Sequence, residues 1–334
     1  MGAVTSLFVR KVVKAAGQAI DADAVLTSVG LDPQGDAELG QMISDAAYYD
    51  MLERIAGDMG GGWALPVQTG ASMNCDDYGA FGLAWKTAPT LRASFARAER
   101  YWRLLTSVTE YELRQEAEGA WFLLHRAGLR RLGLCMSNEA SLASVLSIIR
   151  QVCPVPFTPL EVRFQHPAPQ DVTSHESYFG CTIEFESDRD GLLLPAEALT
   201  RRNKMGDEAI TRFLLPHLDA ELKRLQAERT LTDMVHDAVA GALSEGIPKM
   251  PAIARRLGMS ERTLQRRLSD EGLSFQALVD SARRELAEGL LLQSDYSLAE
   301  VAFLTGFSEQ SAFTRAFKRW SDQTPAAYRD AQRA

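Results

Sequence analysis

Residues 253–268 read IARRLGMSERTLQRRL, and residues 301–317 read VAFLTGFSEQSAFTRAF. The two stretches follow one plan. Ile253 and Val301 open apolar segments, Ala254 and Ala302 are small where two helices must approach, and Gly258 and Gly306 stand where the chain leaves the first helix. Glycine takes the left-handed backbone of such an exit at least cost. Ser260 and Ser308 are then predicted N-caps of a second helix, because a hydroxyl oxygen accepts from the unpaired amides of the first turn. Up to Glu261 and Glu309 the offset between copies is 48; after them it is 49, which aligns Leu264, Arg266 and Leu268 with Phe313, Arg315 and Phe317. Each copy therefore reads as helix, tight turn, helix. A single pattern of this kind is weak, but two in register point to DNA.

Between the copies, residues 274–293 (SFQALVDSARRELAEGLLLQ) place Phe275, Leu278, Val279, Ala282, Leu286 and Leu290 at helical spacing. One helix is predicted to join the two units. Roughly 20 residues of helix span about 30 Å, close to the roughly 34 Å between successive major-groove faces of B-DNA. Both second helices could then read one face of one duplex.

Residues 298–329, LAEVAFLTGFSEQSAFTRAFKRWSDQTPAAYR, include the second unit and a tail in which Thr324-Pro325 marks a helix start. This long stretch resembles the DNA-binding domain of the AraC/XylS family of bacterial transcription regulators. The resemblance implies an all-α C-terminal domain over 230–334, with helix-turn-helix units at about 251–270 and 298–320 joined by a long helix. It also implies double-stranded promoter DNA as partner and contact with RNA polymerase, since most of the family activate.

Recognition-helix residues three to four apart share a face, so Arg262, Gln265 and Arg266 lie opposite Leu264 and Leu268. These three are candidates for base edges: arginine pairs with guanine O6 and N7, glutamine with adenine N6 and N7. In the second copy Phe313 and Phe317 mark the buried side, leaving Gln310, Ser311, Thr314 and Arg315 outward, at positions the family uses against bases and nearby backbone. Ser260, Thr263 and Lys318 are expected to touch phosphates, which fix register without reading sequence. Arg266 and Arg315 could instead form ion pairs with Glu261, Asp270 or Glu309.

The chain has 334 residues, a net charge of −8, 46% hydrophobic and 24% charged residues and no low-complexity tract, which suits a folded protein of about two domains. From Glu228 onward 14 Lys/Arg stand against 15 Asp/Glu, a net of −1, so the front part carries −7. Attraction to phosphates is therefore local, centred on Arg255, Arg256, Arg262, Arg266 and Arg267 and on Arg315, Lys318 and Arg319. No apolar run approaches 18 residues, and the basic residues of the first 20 lie inside the apolar stretch, which argues against a membrane span or signal peptide and for a cytoplasmic protein. Cys75, Cys135, Cys153 and Cys181 show no metal or dithiol spacing and read as free thiols, with a redox-sensing role open. No metal or cofactor is expected.

Ahead of the DNA-binding domain, residues 41–59 have the spacing of an amphipathic helix ended by Gly60-Gly61-Gly62, and Thr87-Ala88-Pro89-Thr90 starts a second to about residue 105. That helix buries Leu91, Phe95, Ala98 and Trp102 and projects Arg92, Arg97, Glu99 and Arg103. The period then changes to two: residues 108–115 and 120–126 around Glu118-Gly119 predict a hairpin. A helix over 138–152 and strands at 160–165, 181–185 and 191–194 follow. This order implies an α+β domain with a small mixed or antiparallel sheet, here bounded at 1–205. Residues 206–229 read as a helical linker with a kink or break at Pro216.

DYGAFGLAWKTAPTLRASFARAERYWRLLT (77–106), PLEVRFQHPAP (159–169) and YFGCTIEFESDRDGLLLP (178–195) resemble the front domain of an AraC-family branch called arabinose-binding-like, which includes an ornithine-utilisation regulator. The resemblance implies an effector-sensing and dimerising module, so a homodimer is a candidate assembly. It does not imply arabinose, because sugar-sensing relatives use a cupin-like barrel. Trp85, Tyr101, Trp102 and Trp121 are candidate pocket walls, and His125 and Arg163 candidate polar anchors. Such walls would suit an amphipathic or carboxylate-bearing small molecule. The alternative for these aromatics is ordinary core packing, and for the whole chain a constitutive regulator whose front domain only dimerises. No nucleophile-base set, paired carboxylates or phosphate loop appears, and the glycine run follows a helix rather than a strand, so an enzyme is not expected.

Overall fold

The computed structural model describes residues 2–35, 39–126, 131–228, 230–240, 242–243, 246–293 and 296–333. The chain divides into two compact units, Met1–Arg224 and Leu225–Ala334.

In the first unit β1 (Ala3–Thr5) pairs antiparallel with β2 (Met42–Ser44). The helix expected from residue 41 therefore begins later, as α3 (Asp45–Asp58), behind Ser44, whose hydroxyl accepts from the Ala47 amide at 3.1 Å. A capping serine needs extended backbone, and that favours a strand just ahead of the helix. α1 (Ser6–Ala16) and α2 (Ala22–Ser28) share a small core with α3 through Val9, Val12, Leu26, Leu52 and Ile55.

The main core lies between a sheet and the helices α4 (Leu65–Ala71), α5 (Gly79–Lys86), α6 (Leu91–Tyr101) and α7 (Leu132–Val152). The sheet order is β3 (Thr109–Glu116), β4 (Gly119–Arg126), β7 (Asp190–Leu194), β5 (Glu161–Arg163), β6 (Thr182–Glu184), with β5 and β6 parallel and the other pairs antiparallel. This is an α+β fold with a mixed sheet. α4 crosses α7 at Gly70, where a Cβ would meet the Ala140 carbonyl oxygen at 2.4 Å, so only glycine permits that approach. α7 is long and apolar enough to cross a membrane by composition, yet 72% of its most apolar stretch is buried inside the fold. Arg97, expected on the surface, is 7% exposed; it donates to the Ala84 carbonyl and to Thr211 Oγ1 at 3.1 Å. α8 (Thr173–Phe179) brings His175 to 3.0 Å from the buried Glu139, and His166 lies 3.3 Å from the same carboxylate.

After the short helix α9 (Ala196–Thr200), α10 (Glu208–Glu228) covers the segment read as a linker. Pro216 lies inside the helix rather than breaking it. Leu214 and Leu218 are buried in the core of the first unit, and Asp219 accepts from Tyr101 Oη at 2.6 Å.

The second unit is helical throughout its described elements: α11 (Leu231–Ala240), α12 (Met250–Arg256), α13 (Glu261–Asp270), α14 (Phe275–Gln293), α15 (Leu298–Leu304), α16 (Gln310–Ser321) and α17 (Pro325–Arg333). Leu264, Leu268, Leu278, Val279 and Ala282 form one core with α11 and α12. Phe307, Phe313, Phe317 and Tyr328 pack in sequence, tilted or edge to face, at centroid separations of 5.3 to 5.7 Å under the second unit of the repeat.

Candidate nucleic-acid interface and effector cavity

The duplicated sequence folds into duplicated hydrogen bonding. In the first copy the Gly258 amide donates to Arg255 O at 3.0 Å and the Met259 amide to Ala254 O at 2.8 Å; in the second, Gly306 donates to Phe303 O at 2.9 Å and Phe307 to Ala302 O at 2.8 Å. Both glycines are left-handed, with φ of 67° and 78°. This pair of crossed bonds closes a helix C-terminus and turns the chain sharply, so the same exit is built twice.

The entries to the second helices differ. Ser260 caps α13 and accepts from the Thr263 amide at 3.1 Å. In α16 the cap position belongs to Glu309, not Ser308, and its side chain makes no capping bond. The inserted residue therefore lies in the turn, ahead of the helix, rather than after Glu309.

On α13, Arg262, Gln265 and Arg266 are exposed while Leu264 and Leu268 are buried. On α16, Gln310, Ser311, Arg315 and Lys318 are exposed, Thr314 is half-buried, and Phe313 and Phe317 are fully buried. Among the described residues neither Arg266 nor Arg315 has an ion-pair partner, and neither do Arg262 and Lys318. Unpaired guanidinium groups on an exposed helix face keep their donors for another molecule. Some hydroxyls are engaged within the protein: Ser260 Oγ lies 2.8 Å from Thr263 Oγ1, Thr314 donates to Gln310 O at 2.9 Å, and Ser311 donates to Glu309 Oε2 at 3.2 Å. Arg319 differs from its neighbours in facing Asp280 at 3.6 Å.

One residue that the sequence pattern did not single out holds the second copy on the linking helix. Arg283 of α14 is 6% exposed, donates from Nε to Thr305 O at 2.8 Å, and stands 3.7 Å above the Phe307 ring. Thr305 is the C-cap of α15, so the cation sits at the negative end of that helix. Burial pulls the Arg283 guanidinium below its usual range. Arg329 of α17 plays a similar part at the end of α14, donating to Leu291 O at 3.1 Å.

In the first unit a cavity of about 70 Å³ lies between the sheet, α7 and the helices around it. Phe81, Trp85, Trp102 and Phe122 supply aromatic walls, and Tyr48, Thr69, Tyr111, Ser137, Ser141 and Ser144 supply hydroxyls. Trp85 Nε1 and Thr69 Oγ1 are buried and have no hydrogen-bond partner among the described residues. Of the residues expected to form a pocket, Trp85 and Trp102 line this one. Tyr101 turns its hydroxyl to Asp219 instead. Trp121 and His125 point to the opposite face of the sheet from Phe122, as the two-residue period of a strand requires. There Trp121 is held between Arg163 and Arg189, at 5.1 and 5.2 Å from the ring centroid, and the exposed His125 lies 2.9 Å from Glu112. The same period puts Arg126 on the face of Phe122, a position the sequence reading passed over.

Burial pushes the Cys75 and Cys181 thiols up to about 11 and raises Cys153 as well, which leaves them protonated at neutral pH. Among the described residues no group of three metal-ligating side chains converges.

Two helix-turn-helix units on one linking helix, preceded in the chain by an α+β unit with its own cavity, define a DNA-binding transcription regulator with a separate ligand-binding domain. Residues 20–203 match the family described as the arabinose-binding N-terminal domain of AraC transcription regulators, and residues 253–331 match a helix-turn-helix domain family. The chain belongs to the AraC family. It is 28% identical over 268 residues to the ornithine utilization regulator of Pseudomonas aeruginosa, covering 80% of this chain and 79% of that protein. It is also 31% identical over 191 residues to the regulator VirS of Mycobacterium tuberculosis, covering 57% and 56% respectively. Among solved structures it is similar to the transcriptional regulator CdpR of Pseudomonas aeruginosa, with TM-score 0.44 and 22% identity over 84% of this chain and 90% of that one. The DNA-binding domain of AdpA, solved with a target DNA, is 38% identical over 30% of this chain and 92% of its own, with TM-score 0.26.

Proposed function

We propose that the chain binds promoter DNA through α13 and α16 and that a small molecule in the cavity of the first unit sets how it does so, with activation through RNA polymerase as the outcome. The observation that carries the DNA reading is the repeated exit turn, which presents two helices whose outward Arg262, Gln265, Arg266, Gln310 and Arg315 side chains have no side-chain partner among the described residues. The effector reading is supported by the cavity with its unpartnered Trp85 and Thr69 groups and by a relative named for ornithine utilization.

The test is a footprint on the upstream region of the operon beside the gene, with and without that operon's substrates and products. A ligand-dependent change in protection or transcription supports effector control; tight binding indifferent to every compound favours a constitutive regulator. Arg266→Ala should weaken the natural site by about 1 to 3 kcal/mol and relax preference at one base pair. Equal losses on all sequences would make Arg266 a backbone contact.

A further inference from the structure

We infer that the cavity of the first unit takes a small monocarboxylate with an apolar body, its carboxylate directed to Arg126 and the Ser137 and Ser141 hydroxyls beside it. The inference rests on the effector reading above and assigns the chemical class of the ligand.

Strand β4 places Ala120, Phe122 and Leu124 in the main core, and Arg126 follows them on the same face. Its guanidinium donates from Nε to Thr109 Oγ1 at 2.9 Å, from Nη1 to Ser137 Oγ, and from Nη2 to Ser141 Oγ at 3.4 Å. Ser137 and Ser141 both line the cavity. All three acceptors are neutral, and among the described residues no carboxylate pairs with Arg126. Three half-buried arginines of this unit are neutralised, Arg131 by Asp50 and Glu53, Arg163 by Glu161 and Glu184, Arg189 by Glu116 and Asp188, whereas Arg10, Arg97 and Arg150 donate to backbone carbonyls away from the Ser137 and Ser141 hydroxyls.

The charge of Arg126 reaches the cavity. Burial pushes the phenols of Tyr48 and Tyr111, two lining residues, above their usual range, and the guanidinium opposes that shift in both. Arg126 stands behind the lining serines rather than in the wall, and the charged residue that does line the cavity among the described residues, Lys11, is already closed by Asp77 at 2.5 Å. Among the described residues no Asp or Glu lines the cavity, so an ammonium group entering it would meet no carboxylate there and the nearby positive charge of Arg126. That favours an anionic over a cationic headgroup at this end of the cavity.

The rest of the ligand is set by the walls. Phe81, Trp85, Phe122 and Val145 require an apolar body, while Trp85 Nε1 can donate and Thr69 Oγ1 can donate or accept toward one polar substituent on it. A buried polar group without a partner is costly, and a ligand that bonds to it relieves that cost.

The experiment titrates the full chain with propionate, butyrate and isobutyrate, and with propionamide, butyramide and propylamine, following melting temperature and tryptophan emission. Carboxylates should raise the melting temperature and change emission from Trp85 and Trp102; propylamine should do neither. Arg126→Gln should weaken carboxylate binding roughly 10- to 100-fold, and Arg126→Lys should keep the preference for the anion. Amides bound as well as the carboxylates, or undiminished carboxylate binding by Arg126→Gln, would overturn the anion assignment while leaving the effector reading in place. No response to any compound at roughly millimolar concentration would overturn both. Should Arg126→Gln fail to fold, the carboxylate–amide comparison on the unaltered protein and Arg126→Lys decides.

Discussion

Arg283→Ala should release the second helix-turn-helix from the linking helix while leaving the first in place. The guanidinium contributes a charge-assisted hydrogen bond to Thr305 O at 2.8 Å, about 1.5 to 3 kcal/mol. Its position over Phe307 at 3.7 Å adds roughly 0.5 to 2 kcal/mol, and the negative end of α15 adds a few tenths more. Against these stands the cost of burying a cation whose Nη2 has no hydrogen-bond partner, about 1 to 3 kcal/mol. The net loss should be about 2 kcal/mol, which in hydrogen exchange means amides of α15 and α16 opening roughly 30 times more often. Exchange mass spectrometry of the free protein reads this directly, and a footprint should lose the half-site read by α16 before that read by α13. Unchanged exchange in α15 and α16, or acceleration shared equally by α12 and α13, would refute the assignment of Arg283 as the local tie. Arg283→Lys should recover only part of the loss, because an ammonium lacks the flat face that stacks on a ring.

The two exit glycines should differ when replaced by alanine. Both pay the left-handed backbone penalty of roughly 1 to 2 kcal/mol, but a Cβ at Gly258 meets nothing within 4 Å whereas one at Gly306 meets Ile247 Cγ1 at 3.0 Å. Gly306→Ala should therefore lower the urea midpoint more, and equal midpoints would count against the packing seen there. In the first unit, burial pushes the Glu53 carboxyl up, but hydrogen bonds from Arg131 and from the Gly133 amide outweigh it and hold the group below the usual carboxylate range. A depressed folded pKa contributes stability above the unfolded value of about 4.3 and loses it as pH falls through the folded one. Glu53→Gln should cost about 1 to 2 kcal/mol at pH 7, and melting curves of the two proteins should converge on acidification; a gap that stays constant with pH would show that the charge of Glu53 is not what matters.

The sequence carried the C-terminal unit almost whole, because its meaning lies in short-range pattern. Glycine, serine and apolar residues at fixed spacing dictate exit, cap and buried face from within about twenty residues, and the duplication supplied an internal check. Even there, the place of the inserted residue was decided by hydrogen bonding: the crossed bonds at Gly306 and the start of α16 leave Ser308 in the turn. Arg283 stayed hidden for a different reason. It stands beside Ala282 in a helix read for its apolar stripe, and only the docking of α15 turns that position into a binding site for a carbonyl.

The front unit shows the opposite balance. Its hairpin, its α+β class and the outward–inward alternation of β4 were legible, since strand period and turn chemistry are local. Applied strictly, that alternation would have separated Trp121 and His125 from Phe122 and brought Arg126 to the cavity side. What no local pattern could supply is which helix covers which face of the sheet. The close approach at Gly70 sets α4 against α7, and α7 in turn brings Ser137 and Ser141 to Arg126. Sequence alone thus determined that this chain carries two helix-turn-helix units and an α+β partner domain. The cavity, the two buried polar groups on its lining residues and the arginine held behind it by Ser137 and Ser141 came only from tertiary packing, because a cavity is made by residues far apart in the chain.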